Sequence, residues 1–90
     1  MIRASVVFRG RVQGVFFRAN AKSKADELGV KGWVMNTLSG DVQAVFEGRE
    51  EKVKALIEYC MSGQPYARVE SADVEYHEYR GEFGEFEVKR

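Results

Sequence analysis

The spacing of apolar side chains changes character along this chain, and the order of those changes leaves few folds open. Ile2, Ala4, Val6 and Phe8 alternate with Arg3, Ser5 and Val7, the period-two pattern of a strand with one buried face, which ends near Arg9. From Phe17 the recurrence lengthens: Phe17, Ala21, Ala25 and Leu28 lie opposite Lys22, Ser23, Asp26 and Glu27, predicting a helix that stops at Gly29. Residues 30–36 and 41–47 are β-rich runs joined by Thr37-Leu38-Ser39-Gly40, a connection suited to a hairpin. Val53, Leu56, Ile57, Cys60 and Met61 return to helical spacing, with Glu50 and Glu51 near the positive amino end and Gly63 past the stop. Residues 68–79, where Ala72, Val74 and Tyr76 share an inward face, and residues 83–88 predict one or two closing strands.

This order, βαββαβ with an optional last strand, specifies an α+β fold of the ferredoxin-like (split βαβ) type, an antiparallel sheet with two helices on one face. Ninety residues suit one such domain, spanning 1–90, around one core. Fourteen basic and fourteen acidic side chains cancel, so no long-range field would hold the chain on a nucleic acid or an anionic membrane, and any anion must be captured locally. Cys60 has no partner for a disulfide, and with the lone His77 it makes a zinc site untenable. His77 stands among charged residues and takes no role. The amino terminus carries neither a long apolar run nor a cleavage pattern, which points to a cytoplasmic protein. It is expected to be a monomer.

Functional chemistry concentrates where the first strand pattern gives way to the first helix, in Gly10-Arg11-Val12-Gln13-Gly14-Val15-Phe16-Phe17-Arg18. Gly10 and Gly14 admit backbone angles closed to other residues, and successive amides in such a turn can point into one concavity that prefers an anion. The helix amino end adds positive potential. Arg18 adds a permanent charge with a planar donor fork suited to phosphate oxygens. A Walker loop is disfavoured, because Gly10 and Gly14 are separated by three residues and no lysine follows. A cysteine phosphatase is disfavoured too, because Cys60 lies on the apolar stripe of the second helix.

Together with Gly32-Trp33-Val34-Met35-Asn36 and Gly40-Asp41-Val42, the glycine loop resembles the paired signature of the acylphosphatases, and the resemblance spans nearly the whole chain. It implies hydrolysis of the carboxylic-phosphoric anhydride of acyl phosphates, with Arg18 holding phosphate and Asn36 positioning water. It also implies a phosphate cradle made by the main chain of Gln13, Gly14, Val15, Phe16, Phe17 and Arg18, with no metal, nucleotide or other cofactor, and a small-molecule acyl phosphate as the partner. Two readings from other classes compete. One is an RNA-recognition module, suggested by Arg80-Gly81-Glu82-Phe83-Gly84-Glu85-Phe86, although the third strand lacks stacked aromatics. The other is a regulatory module that binds an anion without catalysis.

Overall fold

The computed structural model describes all residues, Met1–Arg90. The elements run β1 (Ile2–Arg11), α1 (Phe17–Leu28), β2 (Lys31–Asn36), β3 (Val42–Gly48), α2 (Glu50–Glu58) continuing into a π-helical turn (Tyr59–Gly63), β4 (Arg68–Glu78) and β5 (Phe86–Lys89). They form one five-stranded sheet in the order β4-β1-β3-β2-β5. The helices cover the face to which alternation sends Ala4, Val6 and Phe8, and these pair across β1 and β3 with Phe46, Ala44 and Val42. α1 adds Phe17, Ala21 and Ala25 to the core, and α2 adds Val53, Leu56 and Ile57. At Gly32 the backbone lies at φ 139°, where a side chain would collide with the Val45 carbonyl, so β2 approaches β3 without a Cβ at that point.

The ferredoxin-like arrangement is present, with one correction: the sheet is mixed. β1, β2, β3 and β4 pair antiparallel, but β5 pairs parallel with β2. The cause is topological. β4 occupies one edge, and the chain reverses direction after it and crosses to the other edge, where β2 already runs the same way as β5.

Two side chains also depart from the sequence pattern. Helical spacing puts Met61 on the apolar stripe of α2, but it is exposed, because the π-helical turn adds residues per turn and rotates it outward. Tyr76 shares the inward face with Ala72 and Val74, pairing with Ala4 and lying under Lys54 of α2, but it is exposed, because it belongs to the edge strand β4, whose residues from Glu75 onward are all exposed.

Glu47 ends up only 2% exposed although it is on the face opposite the helices. The connection from β4 to β5 folds over it: its carboxylate accepts the backbone N–H of Arg80 at 2.8 Å and of Glu82 at 3.3 Å, and Arg3 Nη1 at 3.2 Å. Arg3 also pairs with Glu82 at 2.6 Å and lies over the Phe83 ring. Burial pushes the Glu47 carboxyl up, but the hydrogen bonds from Arg80, Arg3 and Glu82, with the charge of Arg3, outweigh it and hold the group below its ordinary value. A depressed folded-state pKa stabilises the fold above the unfolded value, and that contribution disappears as pH falls through the folded one. Glu47→Gln should therefore cost about 1–2 kcal/mol at neutral pH. The gap in urea midpoint between wild type and variant should close as pH drops below about 4.5. A gap unchanged down to about pH 3 would mean that the carboxylate charge is not what holds the connection.

Candidate active site

Three strand ends meet at one pole of the sheet. β1 and β2 both run antiparallel to β3, and β5 runs parallel to β2, so the carboxy ends of all three lie together. A pocket of about 530 Å³ opens there. Val12, Gly14 and Phe16 line it from the β1–α1 loop, Phe17 and Arg18 from the first turn of α1, and Asn36 from the last residue of β2. The sheet register explains the last neighbour: Met35 pairs with Lys89, which sets Asn36 beside Arg90.

The loop is built to leave amides free. Gly14 lies at φ 73° and Phe16 at φ 63°, the one non-glycine residue of the chain in the left-handed region. Phe16 occupies the cap position of α1 without a side-chain cap, the residue is 73% exposed, and no acidic residue stands in the first turn. The eight backbone hydrogen bonds outside helices and strands engage none of the N–H groups from Gly14 to Ala19, and the first amides of a helix have no partner within it. α2 differs, because Glu50 and Glu51 occupy its first turn and offset the positive end. A left-handed bulky residue with unpaired amides around it marks strain held in place by its surroundings.

Those surroundings are explicit. Phe17 is buried against Phe8, with ring centroids 5.2 Å apart, and so fixes the first turn of α1 to the core. Buried Gln64 donates to the Phe17 carbonyl at 3.2 Å. Gln13 Nε2 donates to the carbonyls of Thr37 at 2.9 Å and Asp41 at 2.8 Å, which ties the loop to the hairpin after Asn36. The Gln13 side chain thus braces the loop, and neither Gln13 nor Val15 contributes to the pocket wall. Arg18 Nη1 donates to the Lys89 carbonyl at 3.1 Å, an orientation that leaves the remaining donors of the fork for other partners. Asn36 is in the strand and not in the turn, and its Oδ1 is sealed from solvent without a hydrogen-bond partner. Such an unpaired carboxamide oxygen costs about 1–3 kcal/mol.

The family model described as acylphosphatase matches residues 4–88 of this sequence. The chain belongs to the acylphosphatase family. An acylphosphatase of Geobacter sulfurreducens is 50% identical over 88 residues, covering 98% of this chain and 97% of its own. The crystal structure of the Bacillus subtilis acylphosphatase superposes with a TM-score of 0.94 at 29% identity, covering 100% of both chains. A full-length HypF contains a similar region, with a TM-score of 0.86 at 28% identity, covering 100% of this chain and 12% of HypF. The enzyme is a hydrolase of acyl phosphates, yielding a carboxylate and inorganic phosphate. The RNA-recognition reading is not favoured: Phe86 is buried with its ring centroid 5.8 Å from that of Phe46, and Phe83 lies beneath Arg3, so these rings are packing elements. No helix is long and apolar enough to cross a membrane.

Sequence reasoning missed Lys22, Ala19, Val12, Val88 and Arg90, all of which line the pocket. Lys22 stands four residues after Arg18, and that spacing places both on one face of α1, a signal that helical periodicity alone carries. Val88 and Arg90 gave no such signal, because their place depends on the crossing of β5.

Cys60 stays outside this chemistry. It is 1% exposed, and burial pushes its thiol up to about 12 against a weaker opposing hydrogen bond from Gln64. At about pH 8 a thiol reagent should label folded protein about a thousandfold more slowly than protein in urea, following the thiolate fraction. Fast labelling of the folded chain would show that the thiol is reachable and ionised.

Proposed function

We infer that the main chain of residues 13–18 and the Arg18 guanidinium hold the phosphoryl group, while Asn36 orients the attacking water. The supporting observation is the coincidence, in one pocket, of an α1 amino end without cap or acid, Arg18 and the side chain of Asn36. Water attacks phosphorus as the bond to the acyl oxygen breaks. The electron pair of that bond leaves on a carboxylate, and the water proton passes to solvent. A carboxylate, with a conjugate acid pKa of about 4, departs without a general acid. Negative charge spreads over the equatorial oxygens in the transition state, where oriented amides and one guanidinium stabilise it without reorganising. The Asn36 amide is no base at ordinary pH, so it acts by placing water in line.

In this reading residues 1–90 form a single acylphosphatase-like domain, working as a cytoplasmic monomer on small acyl phosphates without nucleic acid. Every group of the site then comes from one chain.

Steady-state hydrolysis of acetyl phosphate, with chelator present and inorganic phosphate as competitor, tests the assignment. Arg18→Ala should lower kcat/KM by about a thousandfold and weaken phosphate inhibition with it, because the lost donor serves ground and transition states alike. Asn36→Ala should lower kcat by about a hundredfold with little change in KM or in phosphate inhibition. Near-normal turnover by either variant would remove that residue's role.

A further inference from the structure

Behind the first turn of α1, outside the pocket wall, lies a buried carboxamide that no substrate atom reaches. Glu47 and Gln64 are the two polar residues buried in this chain. Glu47 is accounted for by the connection it anchors. Gln64, 7% exposed, follows the π-helical turn Tyr59–Gly63, and there the backbone becomes extended, at φ −89° and ψ 127°. Its side chain reaches α1 twice: Nε2 donates to the Phe17 carbonyl at 3.2 Å, and Oε1 accepts from Asn20 Nδ2 at 3.4 Å. A further hydrogen bond joins it to the Cys60 thiol. Turned over, the carboxamide would set oxygen against oxygen at Phe17, so one orientation is selected.

An apolar side chain of the same volume would fill this space. What it cannot do is hold a carbonyl. This carbonyl belongs to the peptide that joins Phe17 to Arg18, which is trans and planar, with its C=O and N–H directed oppositely. Fixing the oxygen toward Gln64 therefore fixes the Arg18 N–H on the other side. That N–H is among the first amides of α1, which have no partner within the helix, and Arg18 lines the pocket. A donor on the carbonyl also draws electron density from the nitrogen and strengthens the N–H as a donor. The first turn needs such a hold, because Phe16 before it is left-handed and no side chain caps the helix.

We propose that Gln64 is a positioning residue for phosphoryl transfer: through the Phe17 carbonyl it fixes and polarises the Arg18 N–H that meets the phosphoryl oxygens. The role rests on the assignment of residues 13–18 to the phosphoryl group, and it extends the site to a side chain 47 residues from Phe17. Donors aligned before the reaction stabilise the transition state without reorganising, so their loss is felt in kcat more than in KM.

Gln64→Met keeps the length and volume of the side chain and removes its donor. Its kcat for acetyl phosphate should fall about tenfold, with KM within about twofold of wild type. Proton–nitrogen correlation spectra titrated with inorganic phosphate test the route of the effect. In wild type, phosphate should move the Arg18 amide downfield and shift the Gln64 Nε2 protons as well, because both hydrogen bonds share one peptide. At saturating phosphate the Arg18 amide of Gln64→Met should move about half as far. A role in packing alone would lower the urea midpoint and leave kcat and the Arg18 response at wild-type values, which would overturn the proposal. Wild-type Gln64 Nε2 signals indifferent to phosphate would overturn it too, and that measurement does not depend on a variant that folds. Phosphate that moves no amide from 13 to 18 in wild type would instead overturn the assignment of the loop.

Discussion

The amino end of α1 is left bare, and the site is organised around that omission. A helix ordinarily satisfies its first amides with a cap, and a Ser, Asp or Asn at that position contributes about 1 kcal/mol. Here the position belongs to Phe16, in the left-handed region and without a side-chain cap. The fold forgoes that stabilisation and accepts strain, and it leaves the N–H groups from Gly14 to Ala19 without backbone partners. The strain is offset by contacts within the fold: Phe17 against Phe8, Gln64 on the Phe17 carbonyl, and Gln13 on the hairpin. Stability at this pole is concentrated beneath the loop so that its surface can remain unsatisfied.

Positioning is a matter of strand direction. Because β1, β2 and β5 all run the same way, a loop, a strand end and a chain end converge without any long excursion of the backbone. The least secure member is β5, only four residues long and paired on one side. Two devices hold it. At its start the connection is drawn onto the Glu47 carboxylate, and along its length Lys22 and Arg18 donate to the carbonyls of Phe86 and Lys89. The guanidinium assigned to phosphate is thus also a fastener of the closing strand, which couples the order of β5 to the orientation of Arg18.

The fold is largely legible from local pattern because its elements announce themselves by period. The boundaries of α1 follow from Phe17, Ala21, Ala25 and Leu28, and those of β2 and β3 from the hairpin turn. Arg18 and the glycine loop are legible because a change from strand to helix period with glycines between is itself a local signal. What escapes is non-local. Alternation along β3 sends Glu47 outward, and only a connection more than thirty residues later buries it, as the separation of 33 between Glu47 and Arg80 shows. The parallel pairing of β5, and with it Val88 and Arg90, depends on which edge the chain reaches after β4. Met61 escapes because nothing in Tyr59-Cys60-Met61-Ser62-Gly63 distinguishes a wide turn from a regular one.

Charge in this chain is balanced overall and unbalanced locally. Fourteen cations face fourteen anions in the sequence, so the approach of an anionic substrate is not steered from a distance, and salt acts mainly on the final contacts. Within the pocket the balance is different: Arg18, Lys22 and Arg90 meet no lining carboxylate, and the helix end adds its partial charge. This division suits a hydrolase whose product is also an anion. A field reaching far from the pocket would retain inorganic phosphate after each turnover, whereas, with the phosphate held as proposed, attraction confined to hydrogen-bond range fades once it moves beyond the amides. Confinement of positive potential to one pole of a neutral chain allows tight contact in the transition state to coexist with release.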